Sequence, residues 1–265
     1  MSLMRTPVGG ATRLRVRPWH GDRRTAHLTP ATDFLGPLTA ADVGRSLEGL
    51  RRDGYSSAVT AALHRTDRGP FLDAGFIEGE RLHLLLHGFD GLPAAPAVPG
   101  VEIRRGRRRD HDDVLAVDGA AFAPFWRLDR PGLAEALTAT ATVHFEVARD
   151  ATGIVGYAVC GRAGHRGYVQ RLAVEPRAQG RGVGAALLLD GMRWLRRWGA
   201  RDALVNTQEG NARSLRLYQR VGFVLQADGL AVLEISLDGG PLPGQVHRTG
   251  PSPAAWLDTP AEGRA

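Results

Sequence analysis

The sequence predicts an α/β protein built on a mixed, mostly antiparallel sheet flanked by helices, with a smaller α/β half in front. Three observations lead there. Strand-like and helix-like hydrophobic periods alternate along residues 101–237. Gly91 to Gly100 (GLPAAPAVPG) holds three prolines in ten residues and reads as a stiff, extended linker. The closing pattern of the region after that linker is echoed before it. The resulting division is a domain over 1–90, the linker over 91–100, a second domain over 101–237 and a Gly/Pro-rich tail over 238–265, read as disordered. Trp256 is the one tail residue suited to docking on the body.

The elements of the second region follow in order. Val101–Arg104 reads as a short strand. Five arginines lie between Arg104 and Arg109, and Asp110, Asp112 and Asp113 then open a helix to about Phe122. A second helix runs from about Asp129 to Thr138, with Pro131 suited to its first turn. Three strands, Val143–Ala148, Ile154–Cys160 and Tyr168–Val174, are joined by short Gly-containing turns, which suits an antiparallel meander. Apolar residues from Gly184 through Leu187, Leu188, Gly191, Leu195 and Trp198 share one helical face, so Val183–Trp198 is a helix, stopped by Gly199. Ala203–Thr207 is a strand. Asn211 caps a helix that reaches Arg220 and ends at Gly222, and strands at Val224 and Leu230–Leu237 close the region.

Composition narrows the function classes. The 265 residues are 43% hydrophobic and 23% charged, enough for a real core. No apolar run approaches the roughly 18 residues of a membrane-spanning helix. Met1 to Gly10 lack the apolar run of a secretory signal. The single cysteine, Cys160, makes neither an internal disulfide nor a structural zinc site and fits the reducing cytoplasm. Mid-strand, it reads as a small buried hydrophobe. The chain contains no lysine, so its 34 basic residues are all arginine, a mark of genome composition. A net charge of +6 favours an anionic ligand without establishing nucleic-acid binding.

The sharpest local feature lies between the third strand and the long helix, at Gln179-Gly180-Arg181-Gly182-Val183-Gly184. Alternate glycines let the backbone turn with positive φ and approach a ligand closely. The helix start offers unpaired N–H groups and the positive end of the helix dipole, the ingredients of a phosphate site. Without lysine, a Walker loop is excluded. A dinucleotide fingerprint, Gly180-x-Gly182-x-x-Ala185, is met only superficially. Five residues separate its first glycine from the strand, and Asn206 and Thr207 stand where an acid is expected.

The arrangement resembles the acyl-CoA loop of the GNAT acetyltransferases, Gln/Arg-x-x-Gly-x-Gly/Ala. That family's upstream Leu-Ala-Val-x-Pro is present as Leu172 to Pro176. Its downstream signature is similar to Asn211-Ala212-Arg213-Ser214-Leu215-Arg216-Leu217-Tyr218 followed by Gly222-Phe223. Both halves occur in order, over about half the chain. The resemblance implies a GNAT-type fold and acetyl-CoA as cosubstrate, its phosphates on Gln179, Gly180, Arg181, Gly182, Val183, Gly184 and Ala185. It implies pantetheine along the strand Gln170–Val174, in a splay from Ala203–Thr207, with a strand amide near Leu172 or Ala173 placed to polarise the thioester carbonyl, and Leu172, Ala173, Val174, Asn211 and Ser214 as cofactor contacts. It implies Tyr218 near the thioester sulfur, where a phenol can protonate the departing thiolate. A primary amine, on a small molecule or a protein, then attacks directly in a ternary complex. Gln170, on the central strand, is placed to orient an acceptor or water. For a general base the candidates are Glu146, His144, His165 and Glu209, by rough placement near strand ends.

The first region resembles a degenerate copy of the same fold. Thr39 and Asp42 suit the cap of a helix to about Asp53. Gly54, a strand Ser57–Leu63, a short helix Arg68–Ala74, Gly75-Phe76 and a strand Arg81–Leu86 follow. Five residues before Phe76 stands Phe71, where Tyr218 stands before Phe223; His64 takes the place of Asn211. Phe34 to Leu38 carry no alternating glycines. This half is expected to pack on the catalytic one and wall the acceptor cleft. Phe125 and Trp126 suit either that cleft or helix packing. A non-catalytic acyl-CoA-binding regulator would keep the loop and could dispense with Tyr218. Nucleic-acid binding rests on Arg104–Arg109 alone, without interleaved aromatics. Oligomeric state is not legible.

Overall fold

The computed structural model describes residues 13–20, 22–31 and 36–244. The expectations about Met1 to Gly10, and about a disordered tail with Trp256, fall on residues outside these, from 245 onward in the tail's case.

The first region contributes strands β1 (Leu14–Trp19), β2 (Asp22–Pro30), β3 (Ser57–Thr60) and β4 (Ile77–His87), with helices α1 (Ala40–Arg52) and α2 (Gly69–Asp73). The sequence pattern does not announce the β1–β2 hairpin: arginines stand on its exposed positions, and Pro18 sits inside β1. The Thr39 hydroxyl accepts from the Asp42 amide at 3.2 Å, and the Asp42 carboxylate accepts from the Thr39 amide at 3.0 Å, so α1 starts at a reciprocal cap.

The second region supplies β5 (Glu102–Arg105), α3 (His111–Ala121), α4 (Arg130–Ala136), β6 (Thr142–Asp150), β7 (Gly153–Ala163), β8 (Arg166–Val174) and α5 (Val183–Arg197). After these come β9 (Asp202–Gln208), α6 (Ala212–Val221), β10 (Val224–Leu225) and β11 (Leu230–Ser236). Arg104, the first of the arginine run, forks onto Asp110 with two bonds of 2.8 Å. That bond holds the Asp110 carboxyl at about 2, below the usual carboxylate range.

All these strands join one sheet in the order β1-β2-β3-β11-β4-β9-β8-β7-β6-β5, with β10 alongside β4. Two pairs are parallel, β2 with β3 and β8 with β9; the rest are antiparallel. The closing strands are exchanged between the regions. β11, the last strand of the second region, lies between β3 and β4. β4, the last strand of the first region, pairs with β9 over six rows, from Leu82↔Gln208 to His87↔Ala203.

α5 and α6 cover one face of the second region, burying Leu188, Met192, Leu195 and Tyr218 against Leu85, Cys160, Val169 and Val205. α3 and α4 cover the other, with Val114, Val117 and Leu133 on Val147, Tyr157 and Val159. In the first region, Val43, Leu47 and Leu50 of α1 pack on Leu28, Ala58, Phe71 and Leu233.

The internal repeat is visible in detail. Gly54 and Gly199, after α1 and α5, both have φ of +84°. Gly75 and Gly222, after α2 and α6, have φ of +95° and +106°. The Phe76 amide donates to the Phe71 carbonyl at 3.0 Å, as the Phe223 amide does to that of Tyr218. The paired rings meet edge to face, with centroids 5.4 Å apart in the first region; the second pair stands at 5.8 Å.

Candidate active site

β8 and β9 pair over only three rows, Arg166↔Asp202, Gly167↔Ala203 and Tyr168↔Leu204, and then diverge. The gap is a cleft of about 140 Å³. Val169 to Leu172 line one side and Asn206 to Gln208 the other, with Asn211, Ser214 and Tyr218 of the α6 segment at its end. Opposite Val159 and Cys160 the register of β8 slips by one residue, so Gln170 is extra. Such a bulge turns successive side chains out of strict alternation. Gln170 lines the cleft and reaches Thr140 at 3.4 Å with its amide nitrogen.

The glycine loop sits where β8 hands over to α5. A short 3-10 turn, Pro176–Ala178, precedes it. Gly180 and Gly182 have φ of +79° and +92°, a left-handed backbone that suits glycine, and Gly182 is the cap of α5. The cap carries no side-chain bond, so the first amides of α5 have no side-chain partner at the cap. Gln179 fastens the loop: its amide nitrogen donates to the Val174 carbonyl at 2.8 Å, and its oxygen accepts from Arg213 of α6. Arg181 leans on Asp150 at 3.9 Å, and Arg177 at 3.4 Å. Val183 is core. A Cβ on Gly184 would meet Leu217 and Val174 at 3.5 Å, ordinary contact that fits the Gly/Ala choice of the motif. Ala185 is half-buried on the first turn of α5.

The remaining expected residues separate by strand alternation. Leu172 lines the cleft, Ala173 is buried against α3's side, and Val174 packs under the start of α5. The Asn211 side chain accepts from the Ser214 amide at 3.0 Å, so it caps α6, and both residues line the cleft. Tyr218 is buried and also lines it. Burial pushes its hydroxyl above the ordinary phenol range, so it keeps its proton at neutral pH.

None of the four base candidates lines this cleft. His144 and Glu146 lie on β6 beside Asp190 of α5. His165 is exposed in the β7–β8 turn, and Glu209 faces Arg81 at 3.7 Å. Among the described residues, the cleft lining contains no carboxylate and no histidine. Cys160 is fully buried, and burial pushes its thiol far above the range of a nucleophile.

Two parts of the cleft escape sequence reading. Leu82, on exchanged strand β4, walls it from the first region. Arg171 anchors the loop after α3: it forks onto buried Asp118 at 2.8 and 2.9 Å, donates to the Trp126 carbonyl at 2.7 Å and stacks over Phe122 at 3.6 Å. Asp118 also accepts from the Tyr157 hydroxyl at 2.6 Å and the Leu128 amide at 2.7 Å. The available signal was an acid inside the apolar stripe Val114, Val117, Ala121 of α3. Of the two aromatics left open, Trp126 lines the cleft, and Phe125 is packed against Val59, Leu82 and Val232.

The chain is similar to known proteins. Residues 114–223 match the model of the acetyltransferase (GNAT) family. A mycothiol acetyltransferase of Actinosynnema mirum is 31% identical, over 82% of this chain and 86% of that protein. One of Thermomonospora curvata is 32% identical, over 76% and 75%. The fold is similar to a GCN5-related N-acetyltransferase from Sphaerobacter thermophilus, with a TM-score of 0.60 and 17% identity over 86% of this chain and 76% of that one. It is also similar to a tandem GNAT protein from the clavulanic acid biosynthesis pathway, with a TM-score of 0.59 and 15% identity over 82% and 76%.

Proposed function

This chain belongs to the GNAT acetyltransferase family, and from that premise we infer that it moves an acetyl group from acetyl-CoA to the primary amine of a small acceptor of the mycothiol type. The observation that carries the reading is the cleft itself. Two parallel strands part after Tyr168↔Leu204, a left-handed glycine loop opens a helix at its side, and a protonated phenol lines it.

The donor's diphosphate suits the amides of Gly180 to Gly184 at the start of α5, helped by the helix dipole. Its pantetheine arm suits the gap between β8 and β9, where the backbone beyond Tyr168 has no ladder to β9. The acceptor nitrogen attacks the thioester carbonyl carbon, a C–N bond forms, and the C–S bond breaks. The electron pair leaves on sulfur, and the Tyr218 hydroxyl hydrogen-bonds or protonates the departing thiolate. The nitrogen releases its extra proton to water.

The chemistry of the lining narrows the acceptor. An alkyl amine has a pKa near 10.4 and an α-amine near 8, so the second is far more often neutral without a base. A cleft whose described lining holds no carboxylate or histidine therefore suits an amine of the weakly basic kind. The relatives' name points to the same acceptor type. The N-terminal half supplies the Leu82 wall.

Steady-state release of free CoA thiol tests this, with acetyl-CoA and a panel from aminosugar thiols to alkyl amines. The expected result is turnover strongest for acceptors with amine pKa near 8. Saturable donor binding with no turnover on any amine would instead indicate a regulator.

A further inference from the structure

A second cluster of chemistry-bearing side chains lies under α5, apart from the cleft. His144 and Glu146 are two residues apart on β6 and therefore on one face of the sheet. Asp190 reaches them from α5. His144 Nε2 stands 3.1 Å from an Asp190 oxygen and 3.3 Å from a Glu146 oxygen. The three donor atoms all lie within 4.8 Å of one another. The His144 ring is fixed by stacking on Trp194 of α5, with centroids 5.1 Å apart and planes 10° from parallel. Gly191 lets the helix come close here, since a Cβ there would stand 2.5 Å from Cys160 Sγ.

The second observation concerns Glu146 alone. Its side chain is 2% exposed, yet its Oε1 has no hydrogen-bond partner. A buried carboxylate oxygen without a donor is costly, and native proteins normally supply one. His144 reaches only Oε2.

A divalent cation held by both oxygens of Glu146 would give Oε1 the partner it lacks. In a tetrahedral zinc site with bonds of about 2.0–2.2 Å, ligand atoms stand roughly 3.3–3.6 Å apart. The two measured separations from His144 are already near that spacing. An imidazole nitrogen with two carboxylates is a zinc-type donor set. Asp190 is half-exposed, which gives an ion a way in and leaves room for water as a further ligand. We propose that His144, Glu146 and Asp190 form a binding site for one zinc-class divalent ion, which fastens the middle of α5 to β6 behind the glycine loop.

The test uses the full-length protein, stripped of metal and checked for folding by circular dichroism. Titration with zinc chloride is followed calorimetrically, and titration with cobalt chloride by visible absorption. The expected result is one ion per chain, a tetrahedral cobalt spectrum and a higher melting temperature with zinc. His144→Ala and the milder Asp190→Asn each weaken binding by about tenfold or more. Folded wild-type protein that takes up no stoichiometric ion overturns the proposal. So does one ion per chain bound equally well by both variants, since the ligands then lie elsewhere.

Discussion

The molecule contains the same parallel-strand junction twice, and only one copy is open. In the second region, β8 and β9 pair over three rows and then part around the cleft. In the first, β2 and β3 pair over four rows, from Thr25↔Ser57 to Leu28↔Thr60, and the Ala61 amide continues the ladder onto the Leu28 carbonyl at 2.9 Å. Thr25 and Ser57 add a side-chain bond of 3.0 Å at the other end. Phe71 takes the place of Tyr218 and packs on Phe76 without a hydroxyl. Opening a donor site needs unpaired backbone, and a zipped ladder has none to offer. The first copy has become a wall, and through β4 it lends Leu82 to the second copy's cleft.

The largest expected effect is at the glycine loop. Gly182→Glu forces a side chain onto a φ of +92° and sets a carboxylate where a diphosphate is expected. Losing two charge-assisted hydrogen bonds at about 1.5–3 kcal/mol each predicts at least about a 100-fold loss of acetyl-CoA affinity by calorimetry. Unchanged affinity would remove the loop from the donor site. Tyr218→Phe makes the second copy resemble the first. It should lower kcat by about 100-fold while the donor Kd holds; an unaltered kcat would mean that the thiolate leaves without it.

Asp118→Ala tests the anchor of the loop after α3. Removing one partner of a buried ion pair costs about 3–5 kcal/mol, to be read by denaturant unfolding. The accompanying kinetic change should be a raised acceptor KM with little change in donor Kd. The reverse split would place Arg171 on the donor side. The smallest effect belongs to the junction of the two halves. Burial, with the Arg17 guanidinium and His20 adding to it, holds His27 at about 3, and burial holds His20 at about 4. Arg17 Nε donates to His27 Nδ1 at 3.0 Å, which requires the neutral ring. Folded pKa values below the unfolded 6.5 mean that the unfolded chain binds more protons. Their stabilising contribution is complete above about pH 6.5 and is lost as pH falls towards 4 and 3. The melting temperature should drop over that window, and His27→Gln should make the drop shallower.

Much of this was legible in the sequence. The order of elements from α3 to α6, the Asn211 cap and the left-handed glycines at 182, 199 and 222 follow from local rules, and local rules are written locally. The Phe71–Tyr218 correspondence was legible for the same reason. The strand exchange was not. β11 is buried at four consecutive residues and β4 at Leu82, Leu85 and His87, and nothing in such a pattern says which of two similar sheets a strand joins. Leu82 could not be assigned to the cleft without that partner choice. None of the base candidates lines the cleft: placement near strand ends does not tell which face a side chain takes, and His144 and Glu146 take the face under α5.

The comparison between the two junctions is tested most directly by the stoichiometry of acetyl-CoA binding to the full-length chain, measured by calorimetry alongside Gly182→Glu and Phe71→Tyr. One molecule per chain, lost in the first variant and untouched in the second, is the predicted result. Two molecules per chain, or one that survives Gly182→Glu, would contradict a molecule with a single working cleft between β8 and β9.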